Sequence, residues 1–295
     1  MNDLIKKIHN VDFELTYLCN LKCMHCYNPT HEKTSELSTE KVKAVTKEIY
    51  DIGFKEIHYN GGEPLLRKDI NEILEYSSSL GLVTILETNA TKLVYPQSLK
   101  FKNLKIRASI DGSEKVHNYI RSRDKSSNNY QTSLRNLANA HNLGIPVEIT
   151  CSVNSINHTS IYKMVQELIA SGLDDVRLRL SMPTGHALGN WEELKMSNDE
   201  LEVLRKQVEL IKRDFPEISF NDKSLVRGIP EFELKFFIEP RGFVKPYPFI
   251  EEYIGNVKHE SIESILSKIP EIKFPETEKK MMIDYLRSLN MVSDK

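Results

Sequence analysis

The chain has 295 residues, enough for two average domains or for one large α/β domain with an appendage. Forty Lys and Arg against 42 Asp and Glu give a formal charge of −2, without the basic excess of a non-specific nucleic-acid or membrane-surface binder. A 40% hydrophobic share is too high for disorder, no apolar run reaches the roughly 18 residues that span a bilayer, and residues 1–10 lack a signal-like apolar core, so a cytoplasmic protein with no nucleic-acid or membrane partner is expected.

Strand-like and helical runs alternate along the chain. Val11–Tyr17 reads as a strand, and Thr39–Ile52 as a helix with Val42, Val45 and Ile49 on one face and Gly53 as its stop. Lys55–Tyr59 is the next strand; Asp69–Leu80 follows as a helix, with Asp69 and Glu72 placed as a variant capping box. Strands Val83–Thr88 and Lys105–Ile110, helix Tyr130–Asn142, strand Val147–Val153, helix Thr159–Ala170 and strand Val176–Leu180 continue the series. Helix Asp199–Asp214, opened by a Ser197–Glu200 capping box, ends it. This alternation predicts an α/β fold, a partial (β/α)6 TIM-like barrel over residues 1–215. Beyond Phe215, short strands punctuated by Pro and Gly and two helical stretches, the last over Met281–Met291, predict a small α+β C-terminal domain over residues 216–295.

Of four cysteines, three crowd into LCNLKCMHCYNP as Cys19-x3-Cys23-x2-Cys26. Buried structural cysteines do not cluster among Asn, Lys and His, and close thiols in a reducing compartment point to a metal or redox site. Structural zinc takes four ligands in paired knuckles, and here a second pair is missing; His25 and His31 have no useful offset. Three thiolates with an open fourth position suit a cubane iron–sulfur cluster. The loop follows the first strand, and such loops build the active sites of barrels. A non-catalytic metal-binding scaffold is the rival from another class.

The three-cysteine loop, with His25 and Tyr27 flanking Cys26, resembles the signature of the radical S-adenosylmethionine (radical SAM) superfamily. Gly61-Gly62-Glu63-Pro64 after the second strand, Thr88-Asn89-Ala90 after the third and Ser109-Ile110-Asp111-Gly112 after the fourth, with His117 and Arg121 beyond, are similar to that family's further motifs. Ala90 departs from the pattern, which has Gly there. Singly these are ordinary turns and a solvated helix face; at successive strand ends of one barrel they form a set. The resemblance implies one 4Fe-4S cluster on Cys19, Cys23 and Cys26, and S-adenosyl-L-methionine held by His25, Gly61, Gly62, Glu63, Asn89, Ser109 and Arg121, with Arg123 a further source of charge. Its implied activity is reductive cleavage of S-adenosylmethionine to a 5′-deoxyadenosyl radical that abstracts hydrogen from a substrate; no residue is assigned a catalytic role beyond this.

Met182-Pro183-Thr184-Gly185-His186-Ala187 and the stretch from Phe236 to Leu266 resemble the SPASM branch of the family, but no cysteine follows Cys151 and Tyr247 is among the residues standing where that branch has cysteines. A degenerate SPASM/twitch-like domain without an auxiliary cluster is implied, and the absence of that electron acceptor favours epimerisation, elimination or reductive quenching over oxidative cross-linking. The resemblance leans slightly to a peptide substrate, as in ribosomal peptide maturation. The alternative is a small-molecule natural-product epimerase, decarboxylase or dehydrogenase. A flavodoxin- or ferredoxin-like electron donor is implied. With eighteen residues before Cys19, any leader-peptide-binding function is expected on a separate protein. Strand alternation turns Cys151 toward the helical shell and Glu148, Thr150, Ser152 and Asn154 toward the lumen; Arg177, Arg179 and Ser181 either point inward too, where the cations suit a substrate or cofactor carboxylate, or form a surface strand edge.

Overall fold

A computed structural model describes residues 8, 11–28, 34–92, 102–122, 126–222, 225, 236–246, 252–269 and 276–291. His31, Arg123 and Tyr247 lie outside these residues. Six parallel strands pair in chain order: β1 (Val11–Thr16), β2 (Glu56–Gly61), β3 (Val83–Thr88), β4 (Leu104–Ser109), β5 (Val147–Val153) and β6 (Asp175–Leu180). Beyond β6 lies β7 (Ser219–Asn221), also parallel. On the other side β8 (Phe236–Ile238) runs parallel to β1 and is followed by antiparallel β9 (Phe243–Lys245) and β10 (Gly255–Asn256). The ten-stranded order β10-β9-β8-β1-β2-β3-β4-β5-β6-β7 is an open partial barrel whose C-terminal strands continue the same sheet.

Helices α1 (Thr39–Ile52), α2 (Ile70–Ser79), α3 (Glu114–Ser122), α4 (Asn129–Asn142), α5 (Ile161–Ala170) and α6 (Asn198–Asp214) belong to the barrel; α7 (Ile262–Lys268) and α8 (Glu276–Ser288) follow it. Helix α1 starts at Ser38, whose hydroxyl accepts from the Lys41 amide at 3.2 Å, and buries Val42, Val45 and Ile49. The Ser197–Glu200 capping box opens α6. Asp69 does not cap α2: the Arg67 guanidinium (2.6 Å) and the Thr39 hydroxyl (2.6 Å) take its carboxylate. Charge-assisted bonds to a fixed fork outcompete a single backbone amide. The helix face that His117 and Arg121 suggest is present in α3 but is buried rather than solvated, carrying His117, Asn118 and Arg121 in place of an apolar stripe.

Strand parity divides the molecule into two apolar clusters and a polar lumen. Val11, Phe13, Ile57 and Tyr59 pack with α1 and α2, and Phe236, Ile238, Val244, Ile262 and Ile265 join them, so β8, β9 and α7 share the core of the first barrel units. Ile106, Ile149, Val176 and Leu178 pack with α4, α5 and α6, and Tyr285 and Leu289 bring the chain's last helix to this opposite side.

Cys151 lies in the second cluster, fully buried, with Asn157 Nδ2 3.8 Å from its sulfur. Burial pushes its thiol well above the ordinary range. Cys151→Ala is expected to cost about 1 kcal/mol and a few degrees of Tm, with S-adenosylmethionine cleavage and substrate turnover unchanged. Thermal melts beside product assays check this; loss of substrate turnover alone would expose a hydrogen-donor thiol.

Candidate active site

The three-cysteine loop leaves the C-terminal end of β1 and is held by backbone contacts from three other units. The Gly62 amide donates to Thr16 O at 2.7 Å and the Glu63 amide to Leu18 O at 2.8 Å. The Met24 amide donates to Ile120 O at 2.9 Å, and Asn190 Nδ2 to Met24 O at 3.0 Å. The approach is too close for side chains: a Cβ on Gly62 would stand 2.4 Å from Leu18 O, and one on Gly185, at φ +51°, 2.0 Å from Tyr27 O. Gly185 starts the segment after β6 whose Ala187 amide donates to Cys26 O at 3.3 Å. Met24, almost fully buried, packs with Ala187, Leu194 and Trp191, and Trp191 meets Tyr285 of α8 edge to face at 4.8 Å.

Cys19, Cys23 and Cys26 are all half-buried free thiols. Cys19 Sγ receives the Leu21 amide at 3.4 Å and Asn89 Nδ2 at 3.9 Å; Cys23 Sγ receives Arg121 Nη1 at 3.7 Å. Burial pushes the Cys23 thiol up to about 11 and Cys26 to about 12, Cys26 being raised further by Cys23. Ligands of a single zinc ion stand about 3.8 Å apart, as tetrahedral thiolates at roughly 2.3 Å from the metal must. These thiols do not gather that tightly: among the described residues the only ligand group within a mutual 4.8 Å is Asp12, His58 and Glu87. The Asp12–His58–Glu87 group is already served by a cation, since Arg107 Nη1 lies 2.9 Å from Glu87 Oε1 and 3.3 Å from His58 Nδ1.

Asp111, quoted in the fourth motif without a role, is the hub beside the thiols. Fully buried, it accepts Arg121 Nε at 2.7 Å and the Ser152 amide at 2.9 Å, and His25 Nε2 lies 3.4 Å away. Burial pushes its pKa up, but Arg121 and then His25 outweigh this and hold the carboxyl below its usual range. Burial keeps His25 below its usual value against the pull of Asp111, and its Nδ1 is buried without a hydrogen-bond partner. His117 is held at about 3 by burial and then by Arg121; its Nδ1 accepts the Asp111 amide at 3.2 Å.

Glu63 joins the second and third loops. Its buried carboxylate accepts the Thr88 hydroxyl at 2.7 Å, the Asn89 amide at 2.8 Å and the Leu65 amide at 3.1 Å. Asn89 thereby stands between Glu63 and Cys19. Ala90 adopts φ +57°, the left-handed region that favours Gly. Ser109, half-buried at the end of β4, makes no hydroxyl hydrogen bond to a described residue. The sequence-predicted residues thus surround one mouth: thiols, His25, Arg121 and Asn89 in direct contact with one another's neighbours, Gly61 and Gly62 against the β1 end, Ser109 one strand away.

Glu14 was missed, although a carboxylate within the apolar strand VDFELT is a visible signal. It faces the lumen across from Asn60, accepts the Tyr27 hydroxyl at 2.9 Å and is 1% exposed. Burial pushes its pKa up to about 8. The folded chain therefore keeps a proton that the unfolded chain releases, and stability falls as pH rises from the ordinary carboxyl range to about 8. Glu14→Gln removes that penalty. Its melting temperature is expected to exceed the parent's at about pH 9, by up to a few kcal/mol of stability, with the gap closing near about pH 4. Melts across this range check it, and a constant offset would refute the titration.

A barrel of six parallel strands whose first loop gathers three cysteines, ringed by donors from three neighbouring units, has the layout of a cofactor site at the C-terminal ends of its strands. The family model of the Radical SAM superfamily matches residues 13–171, and the chain belongs to that superfamily, whose members use a 4Fe-4S cluster and S-adenosylmethionine. It is 32% identical over 152 residues to the Fe-coproporphyrin III synthase of Methanosarcina barkeri, covering 50% of this chain and 37% of that one. To the PqqA peptide cyclase of Bradyrhizobium diazoefficiens it is 42% identical over 82 residues, 27% of this chain and 22% of that one. Streptococcus suis SuiB bound to precursor peptide SuiA shares the fold at TM-score 0.72 and 14% identity, covering 96% of this chain and 73% of that one. The chain spans about half the length, or less, of the curated relatives it matches. No helix among the described residues is long and apolar enough to cross a membrane.

Proposed function

We propose that the chain is a single-cluster radical SAM enzyme, with Cys19, Cys23 and Cys26 as cluster ligands. The observation that carries this reading is the three-cysteine loop fastened at the barrel mouth, with donors on two of its sulfurs. When bound, the cluster and S-adenosylmethionine supply reductive cleavage to a 5′-deoxyadenosyl radical that abstracts hydrogen from a substrate. The chain's own residues bind and orient. Arg121 and Ser109 offer donors to the methionine carboxylate. The Gly61–Gly62 backbone takes the ammonium, and Glu63 fixes that loop against the third. His25 offers adenine a flat ring and, with Nε2 turned to Asp111, an unpartnered Nδ1. Asn89 and Arg121 stabilise thiolate character at Cys19 and Cys23.

The substrate read here is a peptide, supported by the 42% identity to a peptide cyclase across its matched segment. The 32% identity over 152 residues to a coproporphyrin-acting enzyme supports the second reading, a small-molecule substrate. Residues 216–295 serve as a cluster-free cover, since no cysteine follows Cys151, and a flavodoxin- or ferredoxin-like protein donates the electron. Anaerobic reconstitution is expected to give about four irons and four sulfides per chain. Reduction in the presence of S-adenosylmethionine should then release 5′-deoxyadenosine, carrying deuterium from a labelled candidate substrate. Colourless protein with stoichiometric zinc would establish the scaffold reading instead, and about eight irons would overturn the cluster-free C-terminal region.

A further inference from the structure

The lumen beneath the mouth has a charged floor. Arg107 is held by Glu148 at 2.6 Å and Glu87 at 2.9 Å, and Lys105 by Glu148 at 2.8 Å and Asp175 at 3.0 Å. Arg177 shares Glu148 as well: its Nη2 reaches Glu148 Oε2 at 3.3 Å and its Nε stands 3.3 Å from Glu148 Oε1. Lys105, Arg107 and Arg177 are thus all paired with carboxylates of the β3–β6 wall. Arg179, exposed near the end of β6, makes no ion pair or hydrogen bond with a described residue.

Its direction is fixed by the strand. Val176 and Leu178 are buried in the shell cluster, so Arg177, Arg179 and Ser181 occupy the opposite, concave face. Two features agree with this: Glu87, across the lumen on β3, is held below the usual carboxylate range in part by Arg179, after the larger effects of burial, His58 and Arg107. Arg177 is depressed by burial and, beyond that, by Arg107 and Arg179. In register Arg179 stands beside Ser152 and Arg177 beside Thr150, one level below the Asp111–Arg121 pair. Two further hydroxyls on this wall lack partners: Ser181 Oγ, on a residue 6% exposed, and Thr150 Oγ1. Buried hydroxyl oxygens such as these two are normally satisfied, and the exposed guanidinium of Arg179 is planar and preorganised for a two-pronged carboxylate.

We infer that this β5–β6 wall is the substrate subsite and that it takes a carboxylate, gripped by Arg179 with the Ser181 and Thr150 hydroxyls beside it. The inference rests on the radical SAM reading for its substrate and narrows that substrate to an anionic class: an acidic side chain or chain terminus of a peptide, or a carboxylated small molecule. The methionine carboxylate of S-adenosylmethionine has the same chemistry but its own donors, Arg121 and Ser109, on the neighbouring side of the mouth.

The probe is glutarate, with its neutral counterpart glutaramide, bound to cluster-reconstituted protein and S-adenosylmethionine without reductant and followed by saturation-transfer NMR. Glutarate should bind, more weakly as salt rises, and glutaramide should not. Arg179→Gln should weaken glutarate about tenfold and Arg179→Lys less, since the charge stays while the fork is lost. Affinity for S-adenosylmethionine should be unchanged in both variants. Arg179 has no partner to lose, so both variants should keep the parent's melting temperature. Equal binding of glutarate and glutaramide, or an unaltered glutarate affinity in Arg179→Gln, would overturn the subsite. A loss of S-adenosylmethionine affinity in step with glutarate would reassign Arg179 to that ligand and overturn it too. Release of 5′-deoxyadenosine on reduction is scored separately, so a failed carboxylate subsite is distinguished from a failed radical SAM reading.

Discussion

Cys23→Ala is expected to lose the cluster and, with it, all release of 5′-deoxyadenosine, while the barrel stays folded. A cubane with two protein thiolates and two open irons is under-ligated, since such clusters are held by four ligands. The fold should survive because the loop is not anchored through its sulfurs. It is pinned by the Met24 amide on Ile120 O, by Asn190 on Met24 O and by the Gly62 and Glu63 amides on β1 and its continuation. Met24 itself is 1% exposed among apolar neighbours. What Cys23 loses in the apo chain is one 3.7 Å contact with Arg121, which keeps Asp111. Iron and sulfide analysis, the visible spectrum and far-UV circular dichroism separate the two effects. Full iron occupancy would sink the ligand assignment, and collapse of the far-UV signal would show that the sulfur braces the loop after all.

The parts of this molecule that were legible in its sequence are those where one local rule decides the outcome. Period-two alternation gave strand β5 its full extent, and a Ser–Glu capping box marked the start of α6. The cysteine spacing located the loop. The parts that were not legible depend on partners distant in the chain. The burial of helix α3 was not legible because its buried face is His117, Asn118 and Arg121, which pack toward the site rather than into an apolar core. Asp69 carries the signature of a cap but is claimed by Arg67 and Thr39, thirty residues away in the latter case. The extension of the sheet through β8 onto β1 needs a pairing some 225 residues apart, which no window of sequence contains. Ala90 is a partial signal: its departure from Gly was visible, but that the backbone nevertheless takes φ +57° there was not.

Asp111→Asn is expected to damage both stability and the mouth, because Asp111 is the charge against which two site residues are set. Arg121 is 6% exposed and fully ionised, and its buried charge is balanced chiefly by Asp111. Removing one member of a buried pair leaves the other uncompensated, at a cost of roughly 3–5 kcal/mol. The asparagine would also turn an amide donor toward either Arg121 Nε or the Ser152 amide, where the carboxylate now accepts from both. His25 would lose its partner at Nε2, freeing the ring to rotate. The expected result is a large fall in melting temperature together with a raised KM for S-adenosylmethionine. A second variant separates these causes: in Asp111→Asn/Arg121→Gln neither charge is left unpaired, so much of the stability should return while S-adenosylmethionine affinity stays low. Recovery of both together would mean that Arg121 serves only to neutralise Asp111. Recovery of neither would place the role of Asp111 in its hold on the Ser152 amide and the β4–β5 junction rather than in its charge.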